Sequence, residues 1–282
     1  MKGLIVFDMK TVRAQATKLR LHIIEMLTVA GSGHPGGSLS AADIVATLYF
    51  GDVLRYDPKN PNDPARDRFL LSKGHAAPVQ YAALAEAGYF DKRELLGLRK
   101  LGAMLQGHPD ALTTPGVEVS TGSLGQGLSI CCGIAQALKL GGGDQRVFCL
   151  LGDGELQEGQ IWEAAMYATH YRLDNLIAII DANKLQIDGS LDEVMSLGDI
   201  CKKFEAFGWD TLRIDGHNIE EIHEALTAPK VDGRSRAIVA DTKKGCGVSF
   251  MEHKAGWHGI VPNEEQREQA CEEIRVASEG SN

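Results

Sequence analysis

The residues with the clearest chemical signal are Gly152, Asp153 and Gly154, followed thirty positions later by Asn183. Each group lies at the end of a continuous apolar run, 147–151 and 176–180, of the kind that forms a buried strand. Because a strand–helix–strand unit takes about 30 residues, the two groups are expected at the same edge of a parallel sheet. Ligands of such sheets gather at the carboxyl ends of the strands.

The chemistry that these residue types favour is metal-assisted binding of a diphosphate. Glycine on both sides of Asp153 allows a tight turn and a close approach of the backbone to an anion. A helix starting directly after the turn would offer free N–H groups to a phosphate. A carboxylate and an amide oxygen are hard ligands that suit Mg²⁺ or Ca²⁺. A Gly-Asp-Gly sequence alone is more often an ordinary turn, and the spaced Asn183 is what favours the metal site.

Histidines supply a second signal. His34, His75 and His108 lie in glycine- or proline-bearing segments rather than on helical faces, and their shared setting predicts that they converge on one pocket. Imidazole hydrogen-bonds hydroxyl groups and moves protons near neutral pH. His253 and His258 lack the spacing and the cysteine partners of a zinc site. The others are assigned structural roles: His22, His170, His217 and His223.

The elements that would position these residues alternate between strand and helix. Continuous apolar strands separated by helices predict a three-layer α/β/α fold with a mainly parallel central sheet, in a single domain over 1–282. We predict helices at 10–30, 41–50, 76–87, 92–101, 124–140, 158–171 and 218–228, and strands at 68–72, 146–154, 175–183, 211–215 and 236–242. Ser40 is predicted to cap the second helix.

Composition excludes some function classes. The formal net charge is −9 and no basic patch stands out, so neither nucleic acid nor an anionic membrane surface is an expected partner. No apolar run is long enough to span a bilayer, and the apolar stretch at the amino terminus is too short for a secretory signal. Six cysteines without a C-x-x-C pair predict reduced thiols and a cytoplasmic protein.

Several segments resemble transketolases, in transketolase order and over nearly the whole chain. They are GSGHPGGSLS (31–40), LSKGHAAP (71–78), QGHPD (106–110), TGSLGQG (121–127), GDGELQEG (152–159), NKLQIDG (183–189) and IDGHN (214–218). Ser123 stands where transketolases usually have proline, and the chain from Gly245 onward resembles them only loosely. The resemblance implies the thiamine diphosphate-binding fold, specifically the domain that binds the diphosphate and its Mg²⁺, for which Ca²⁺ or Mn²⁺ can substitute.

The resemblance also implies roles for individual residues. The metal would be held by the side chains of Asp153 and Asn183 and by the backbone carbonyl of Leu185. His34 would assist proton transfer at the acceptor carbonyl, and His108 would hold the C1 hydroxyl of the donor. His75 and His258 would lie near the diphosphate, and Glu158 in a carboxylate network at a subunit interface or at a helix start. The other implied cofactor contacts are Gly122, Leu124, Gly152, Gly154 and Ile187.

The transketolase resemblance covers the amino-terminal part of that family. The pyrimidine-binding domain, with the glutamate that contacts the aminopyrimidine, and the carboxy-terminal domain are therefore expected on a partner chain, in an α₂β₂ assembly. The expected reaction transfers a two-carbon ketol group from a ketose phosphate to an aldose or aldose phosphate, with activity only in the presence of the partner. The identity of the sugars, ordinary, branched or sulfonated, stays open.

Two alternatives remain. The chain could be an α subunit of a thiamine-dependent 2-oxoacid dehydrogenase, although that family lacks histidines corresponding to His34 and His108. It could also be a non-catalytic homologue that binds the cofactor in a regulatory or scaffolding role.

Overall fold

The chain folds around one five-stranded parallel sheet with the strand order β1-β2-β3-β7-β6. The structure, a computed structural model, describes residues 8–279. The apolar stretch judged too short for a secretory signal falls mostly on residues 1–7, which lie outside the described residues. The sheet strands are β1 (Arg68–Leu71), β2 (Val147–Gly152), β3 (Leu176–Ala182), β6 (Asp210–Asp215) and β7 (Arg236–Asp241). A short antiparallel hairpin joins β4 (Leu185–Gln186) to β5 (Gly189–Ser190).

Helices cover both faces of the sheet. They are α1 (Met9–Ala30), α2 (Pro35–Ser40), α3 (Ala42–Phe50), α4 (Ala77–Ala87), α5 (Gln126–Leu140), α6 (Gly159–His170), α7 (Leu191–Val194), α8 (Ile200–Ala206), α9 (Ile219–Thr227) and α10 (Glu264–Glu279). Single 3₁₀ turns span Gly74–Ala76, Lys92–Gly97, Gly154–Gln157 and Ala255–His258.

Successive residues of the central strands point into two separate cores. Phe148 and Leu150 of β2 pack into one core with residues of α1, α3, α4 and α9. Val147, Cys149 and Leu151 pack into the other, with residues of α5, α6 and α8. Since both faces of the central strands are buried, most of their positions must be apolar, and the buried Asp181 of β3 is an exception. The prediction of a three-layer α/β/α fold with a mainly parallel sheet is confirmed.

Some local predictions are wrong. The predicted helix over 92–101 is only a 3₁₀ turn, Lys92–Gly97, after which Arg99 adopts a φ of 62° that no helix allows. Ser40 is the last residue of α2, not a cap: Ala41 occupies the N-cap position of α3, with no side-chain hydrogen bond. Helix α10 is not predicted, because it buries only Ala270, Cys271 and Ile274 among many charged residues.

The cysteines and the helix lengths complete the description. All six cysteines lie within the described residues, and each is a free thiol. Along residues 8–279 we find no helix with the length and apolarity needed to cross a membrane.

Candidate active site

The Gly-Asp-Gly turn and Asn183 lie side by side at the carboxyl edge of the sheet. Strands β2 and β3 pair in parallel with Gly152 opposite Asp181, so Asp153 and Asn183 follow immediately beyond this register. Both side chains are buried, with 2% of Asp153 and 7% of Asn183 exposed. Their spacing in the sequence therefore predicts their position on the sheet correctly.

Backbone groups hold both side chains in place. Asp153 Oδ1 accepts from the N–H of Gly154 at 2.8 Å, and Oδ2 from the N–H of Lys184 at 2.5 Å. Asn183 Oδ1 accepts from the N–H of Leu185 at 3.2 Å. Lys184 adopts a φ of 64°, the left-handed region that is costly for a side chain other than glycine. Such strain is typical of functional turns.

The electrostatics of this turn favour a cation. Burial, together with the negative charge of Asp181, raises the pKa of Asp153 to about 6. The fold thus destabilises the ionised carboxylate, and a divalent cation would compensate it. The oxygens available are a carboxylate, an amide and the carbonyl of Leu185, which is the donor set of Mg²⁺ rather than of a soft metal. The residues fit the predicted ion.

The third predicted ligand already has a partner. Lys244 Nζ donates to the Leu185 carbonyl at 2.9 Å and contacts His258 Nδ1 at 2.8 Å. Burial and the positive charge of Lys73 lower the pKa of Lys244 to about 8. A metal ion at this carbonyl would replace the ammonium contact, which frees Lys244 to meet a nearby anion.

Glycines allow the loops around this edge to approach one another. A Cβ at Gly74 would lie 2.7 Å from the backbone nitrogen of Gly122. Gly122 itself has a φ of 140°, and a Cβ there would lie 2.9 Å from the ring of His108. At Gly152 a Cβ would meet only ordinary contacts, 3.7 Å or more away. The packing of the chain itself would therefore accept a side chain at position 152.

The helix predicted over 158–171 is present as α6, separated from the Gly-Asp-Gly turn by a short 3₁₀ segment. A 3₁₀ turn, Gly154–Gln157, comes first, and α6 begins only at Gly159. The N–H of Gly154 is taken by the Asp153 side chain.

Three of the four predicted histidines form one cluster. The ring centroids of His34 and His75 are 5.3 Å apart, those of His34 and His258 are 5.3 Å apart, and those of His75 and His258 are 5.1 Å apart. His34 Nδ1 is buried without a hydrogen-bond partner among the described residues. His108 is exposed and lies against Gly122, on the loop that also contacts Gly74. The cluster lies next to the sheet edge that carries Asp153 and Asn183, because Lys244 contacts both His258 and the carbonyl of Leu185.

The imidazoles are neutral near physiological pH. Burial and the charge of Arg99 lower the pKa of His34 to about 4. Burial and the charge of Lys244 lower the pKa of His258 to about 3. Burial, with Lys73 next, places the pKa of His75 well below its ordinary value, and burial and Arg99 lower that of His108. Neutral imidazoles can both donate and accept hydrogen bonds, as recognition of hydroxyl groups requires.

The remaining predicted residues lie at the surface. Leu124 is 36% exposed and Ile187 is 69% exposed, unusual for large aliphatic side chains beside a site. Glu158 is exposed and occupies the N-cap position of α6 without a side-chain capping bond. A Cβ at Gly125 would lie 2.7 Å from Cβ of Glu158, so this acid adjoins the loop carrying Gly122 and Leu124.

Sequence reasoning missed several residues at this site. Lys244 lies outside the segments that resemble transketolases, and nothing in its spacing marked it. Arg99 lies so close to Gly107 that a Cβ there would be 3.0 Å from the guanidinium carbon. Glu155 is buried and accepts from the N–H groups of Gly125 and Gly152 at 2.9 and 3.1 Å. Glu155 thus connects the loop that carries Gly122 to the end of β2. The sequence could have indicated it, because it is an acidic residue inside the GDGELQEG segment.

A second group of polar side chains lies elsewhere and is not a metal site. Asp43, His217 and Cys246 have ligand atoms close to one another. However, the guanidinium of Arg20 binds both oxygens of Asp43, and the N–H of Lys243 donates to His217 Nε2 at 2.8 Å. The atoms that would bind an ion are therefore already engaged, with a fixed positive charge among them.

The lowered histidine pKa values predict an acid-sensitive fold. In the unfolded chain histidines take up protons below about pH 6.5, whereas in the folded chain the pKa of about 4 keeps His34 neutral to much lower pH. The contribution of neutral His34 to the free energy of unfolding is therefore fully present above about pH 6.5, and it is lost as the pH falls from about 6.5 to about 4. Uptake of one proton on unfolding changes the free energy of unfolding by at most about 1.4 kcal/mol per pH unit, and solvent screening makes the effect smaller.

Urea unfolding of the metal-free chain at pH 7, 6 and 5 tests this. His34→Asn should lose less stability than the wild type over this range, and the exposed His253→Asn should behave as the wild type. Equal pH slopes for the wild type and His34→Asn would contradict the assignment.

Fold and site together define a parallel α/β domain that gathers oxygen ligands, glycines and neutral histidines at the carboxyl edge of its sheet. A family model described as "Transketolase, thiamine diphosphate binding domain" matches residues 11–276. The chain therefore belongs to the transketolase family and carries that family's thiamine diphosphate-binding domain.

Individual relatives agree with this assignment. The chain is 44% identical over 270 residues to transketolase of Homo sapiens, covering 94% of this chain and 42% of the relative. It is 41% identical to an apulose-4-phosphate transketolase subunit of Phocaeicola vulgatus, with 95% of each chain covered. It is 44% identical to the 6-deoxy-6-sulfo-D-fructose transketolase subunit SqwG of Clostridium sp. strain MSTE9, covering 92% of this chain and 94% of that one.

Solved structures show the same fold. Transketolase from Campylobacter jejuni superimposes with a TM-score of 0.89 at 35% identity, over 95% of this chain and 43% of that one. The chain thus spans about two fifths of the length of the single-chain transketolases that it matches. The family match goes against the alternative of a 2-oxoacid dehydrogenase subunit.

Proposed function

We propose that this chain is the amino-terminal subunit of a thiamine diphosphate-dependent transketolase, transferring a two-carbon ketol group from a ketose phosphate to an aldose or aldose phosphate. The observation that carries the proposal is one sheet edge that joins Asp153 and Asn183 to the cluster of His34, His75 and His258. A metal–diphosphate site alone would serve many enzymes, and the adjoining neutral imidazoles add the capacity to bind sugar hydroxyls.

Asp153, Asn183 and the Leu185 carbonyl would hold Mg²⁺, with Ca²⁺ or Mn²⁺ as substitutes, because all three offer oxygen. Gly152 and Gly154 would let the diphosphate approach the backbone, with His75 and His258 beside it. Gly122, Leu124 and Ile187 would contact the rings of the cofactor. The 69% exposure of Ile187 supports this, since an aliphatic side chain gains by burial against a ligand or partner.

When bound, thiamine diphosphate supplies the electron sink for breaking the carbon–carbon bond of the ketose. The chain's own residues would orient the sugar and handle its protons. His108, exposed on its loop, would hold the C1 hydroxyl of the donor. His34, with Nδ1 unpartnered among the described residues and a pKa of about 4, would take part in proton transfer at the acceptor carbonyl.

The partner would be a carboxy-terminal transketolase subunit with the pyrimidine-binding domain, in a cytoplasmic α₂β₂ heterotetramer, and this chain would form a single domain. The two relatives named as subunits support this, because they match this chain over nearly their whole length. Glu158, exposed next to Gly125, would lie at a subunit interface. The same relatives are named for apulose-4-phosphate and for 6-deoxy-6-sulfo-D-fructose, so we consider branched and sulfonated sugars beside an ordinary pentose phosphate as donors for this chain.

Reconstitution tests the proposal. We expect the purified chain, mixed with a carboxy-terminal transketolase subunit, to transfer two-carbon units with Mg²⁺ and thiamine diphosphate present. Each half alone should be inactive. Donors from the three sugar classes would be compared by kcat/KM. A complex that binds the cofactor but transfers nothing from any of them would favour the non-catalytic alternative.

A further inference from the structure

Asp181, next to last in β3, is a buried carboxylate that receives four side chains from four segments of the chain. It is 0% exposed. Its donors are Ser40 at the end of α2, Lys73 after β1, Asn183 after β3 and Thr242 after β7. Three of these donors bind Oδ2 and Thr242 binds Oδ1, so both oxygens of the carboxylate have partners.

Lys73 is the charged partner. It is 1% exposed, and its ammonium group binds Oδ2 of Asp181 and donates to the Gly37 carbonyl at 2.7 Å. A buried ion pair contributes little net stability, because removing both charges from water offsets their attraction. We therefore explain the Lys73–Asp181 ion pair by the groups that it holds in place beneath the candidate site.

One of these positions is the amide of Asn183. Its Nδ2 donates to Asp181 Oδ2 at 3.1 Å, which leaves Oδ1 as the acceptor, bonded to the N–H of Leu185. The two ends of an amide have almost the same shape, so only hydrogen-bond partners decide which end faces a given direction. An amide that turned around would offer N–H groups, which repel a cation, where an oxygen ligand is needed.

We propose that Asp181, neutralised by Lys73, is a positioning residue that fixes the oxygen of Asn183 as the metal-binding end of the amide. This inference rests on the proposed function, in which Asn183 is a metal ligand. Lys73 satisfies the charge of Asp181, so that this carboxylate holds the amide instead of binding the cation itself. The same pair fixes α2 through Ser40 and Gly37, and α2 begins directly after His34.

The test replaces the pair without changing the net charge. In the double variant Lys73→Met/Asp181→Asn, the asparagine keeps the shape of Asp181 but offers one oxygen to the donors of Ser40, Thr242 and Asn183. The matched control is Arg236→Met/Asp210→Asn, an ion pair of 2.7 Å at the opposite end of the same sheet. Calorimetry on the full chain would measure the affinity for Mg²⁺ with thiamine diphosphate.

We expect affinity 10- to 100-fold weaker in the double variant, as is typical when a group orienting a metal ligand is lost, and wild-type affinity in the control. The ligand-free melting temperature should stay within a few degrees of the wild type. In the complex with the partner, activity at saturating Mg²⁺ should return to the wild-type level, which a merely structural defect would not allow.

The outcomes separate the two claims. A wild-type chain that does not bind Mg²⁺ with thiamine diphosphate would overturn the proposed function. A wild-type chain that binds them, with a double variant that binds as tightly, would overturn the role of Asp181. An equal loss in the control, or activity that excess Mg²⁺ does not restore, would overturn it as well.

Discussion

Replacing either Asp153 or Asn183 with alanine is expected to weaken Mg²⁺-dependent binding of thiamine diphosphate at least about 100-fold. Mutation of a residue that only orients a metal ligand already lowers metal affinity about 10- to 100-fold, and loss of a ligand itself should cost more. Asp153 would be the charged ligand of the proposed site, and its burial disfavours the ionised carboxylate unless a cation compensates it. Calorimetric titration of the cofactor, with and without Mg²⁺, measures the effect.

The control for this pair of variants is Asp241→Ala. Asp241 ends β7 at the same sheet edge, but its carboxylate binds Arg213 and the exposed ammonium group of Lys184 at the surface, and its replacement should leave the affinity almost unchanged. Asp153→Asn separates binding from folding. Removing the charge relieves the burial that raises the pKa of this carboxyl to about 6, while the amide loses one of its two backbone hydrogen bonds, so the ligand-free melting temperature should change by only a few degrees. Unweakened binding in both alanine variants would leave the metal assignment without support.

The second large effect is expected at His34. In the complex with the partner, His34→Ala should lower kcat by between about 10² and 10⁴, the range that a positioned proton-transfer group contributes. Cofactor affinity should stay within about twofold of the wild type, since His34 is not among the proposed metal ligands. Steady-state kinetics and cofactor titration of the same preparation measure the two effects.

His253→Ala is the matched control for His34. His253 is exposed and should leave kcat unchanged. If His34→Ala lost cofactor binding in proportion to activity, the imidazole would be part of the cofactor site rather than a proton-transfer group. If it kept full activity, the proposed role in catalysis would be wrong.

The sequence predicted the parts of this molecule that depend on local pattern. Strand β2 is apolar throughout and β3 is apolar except at Asp181, a pattern that indicates burial on both faces, and their spacing placed Asp153 beside Asn183. His34 and His75 were marked because glycine and proline surround them. In each case a few neighbouring residues carried the information.

Contacts between distant segments could not be predicted in this way. Ser40 looks like a helix cap, yet its hydroxyl donates to Asp181, 141 positions away. Lys244 meets Leu185 and His258 only because the chain after β7 returns to the hairpin of β4 and β5. Arg99 reaches the histidines from a turn whose left-handed φ no propensity indicates. Tertiary packing decides such contacts.

The most direct test is a crystal structure of the chain with Mn²⁺ and thiamine diphosphate, using the anomalous signal of the metal. We expect one metal peak, about 2.1 Å from the oxygens of Asp153, Asn183 and the Leu185 carbonyl, with Lys244 moved away from that carbonyl. Cofactor bound with its metal elsewhere, or bound at this edge with Lys244 still on Leu185 and no metal, would contradict the assignment.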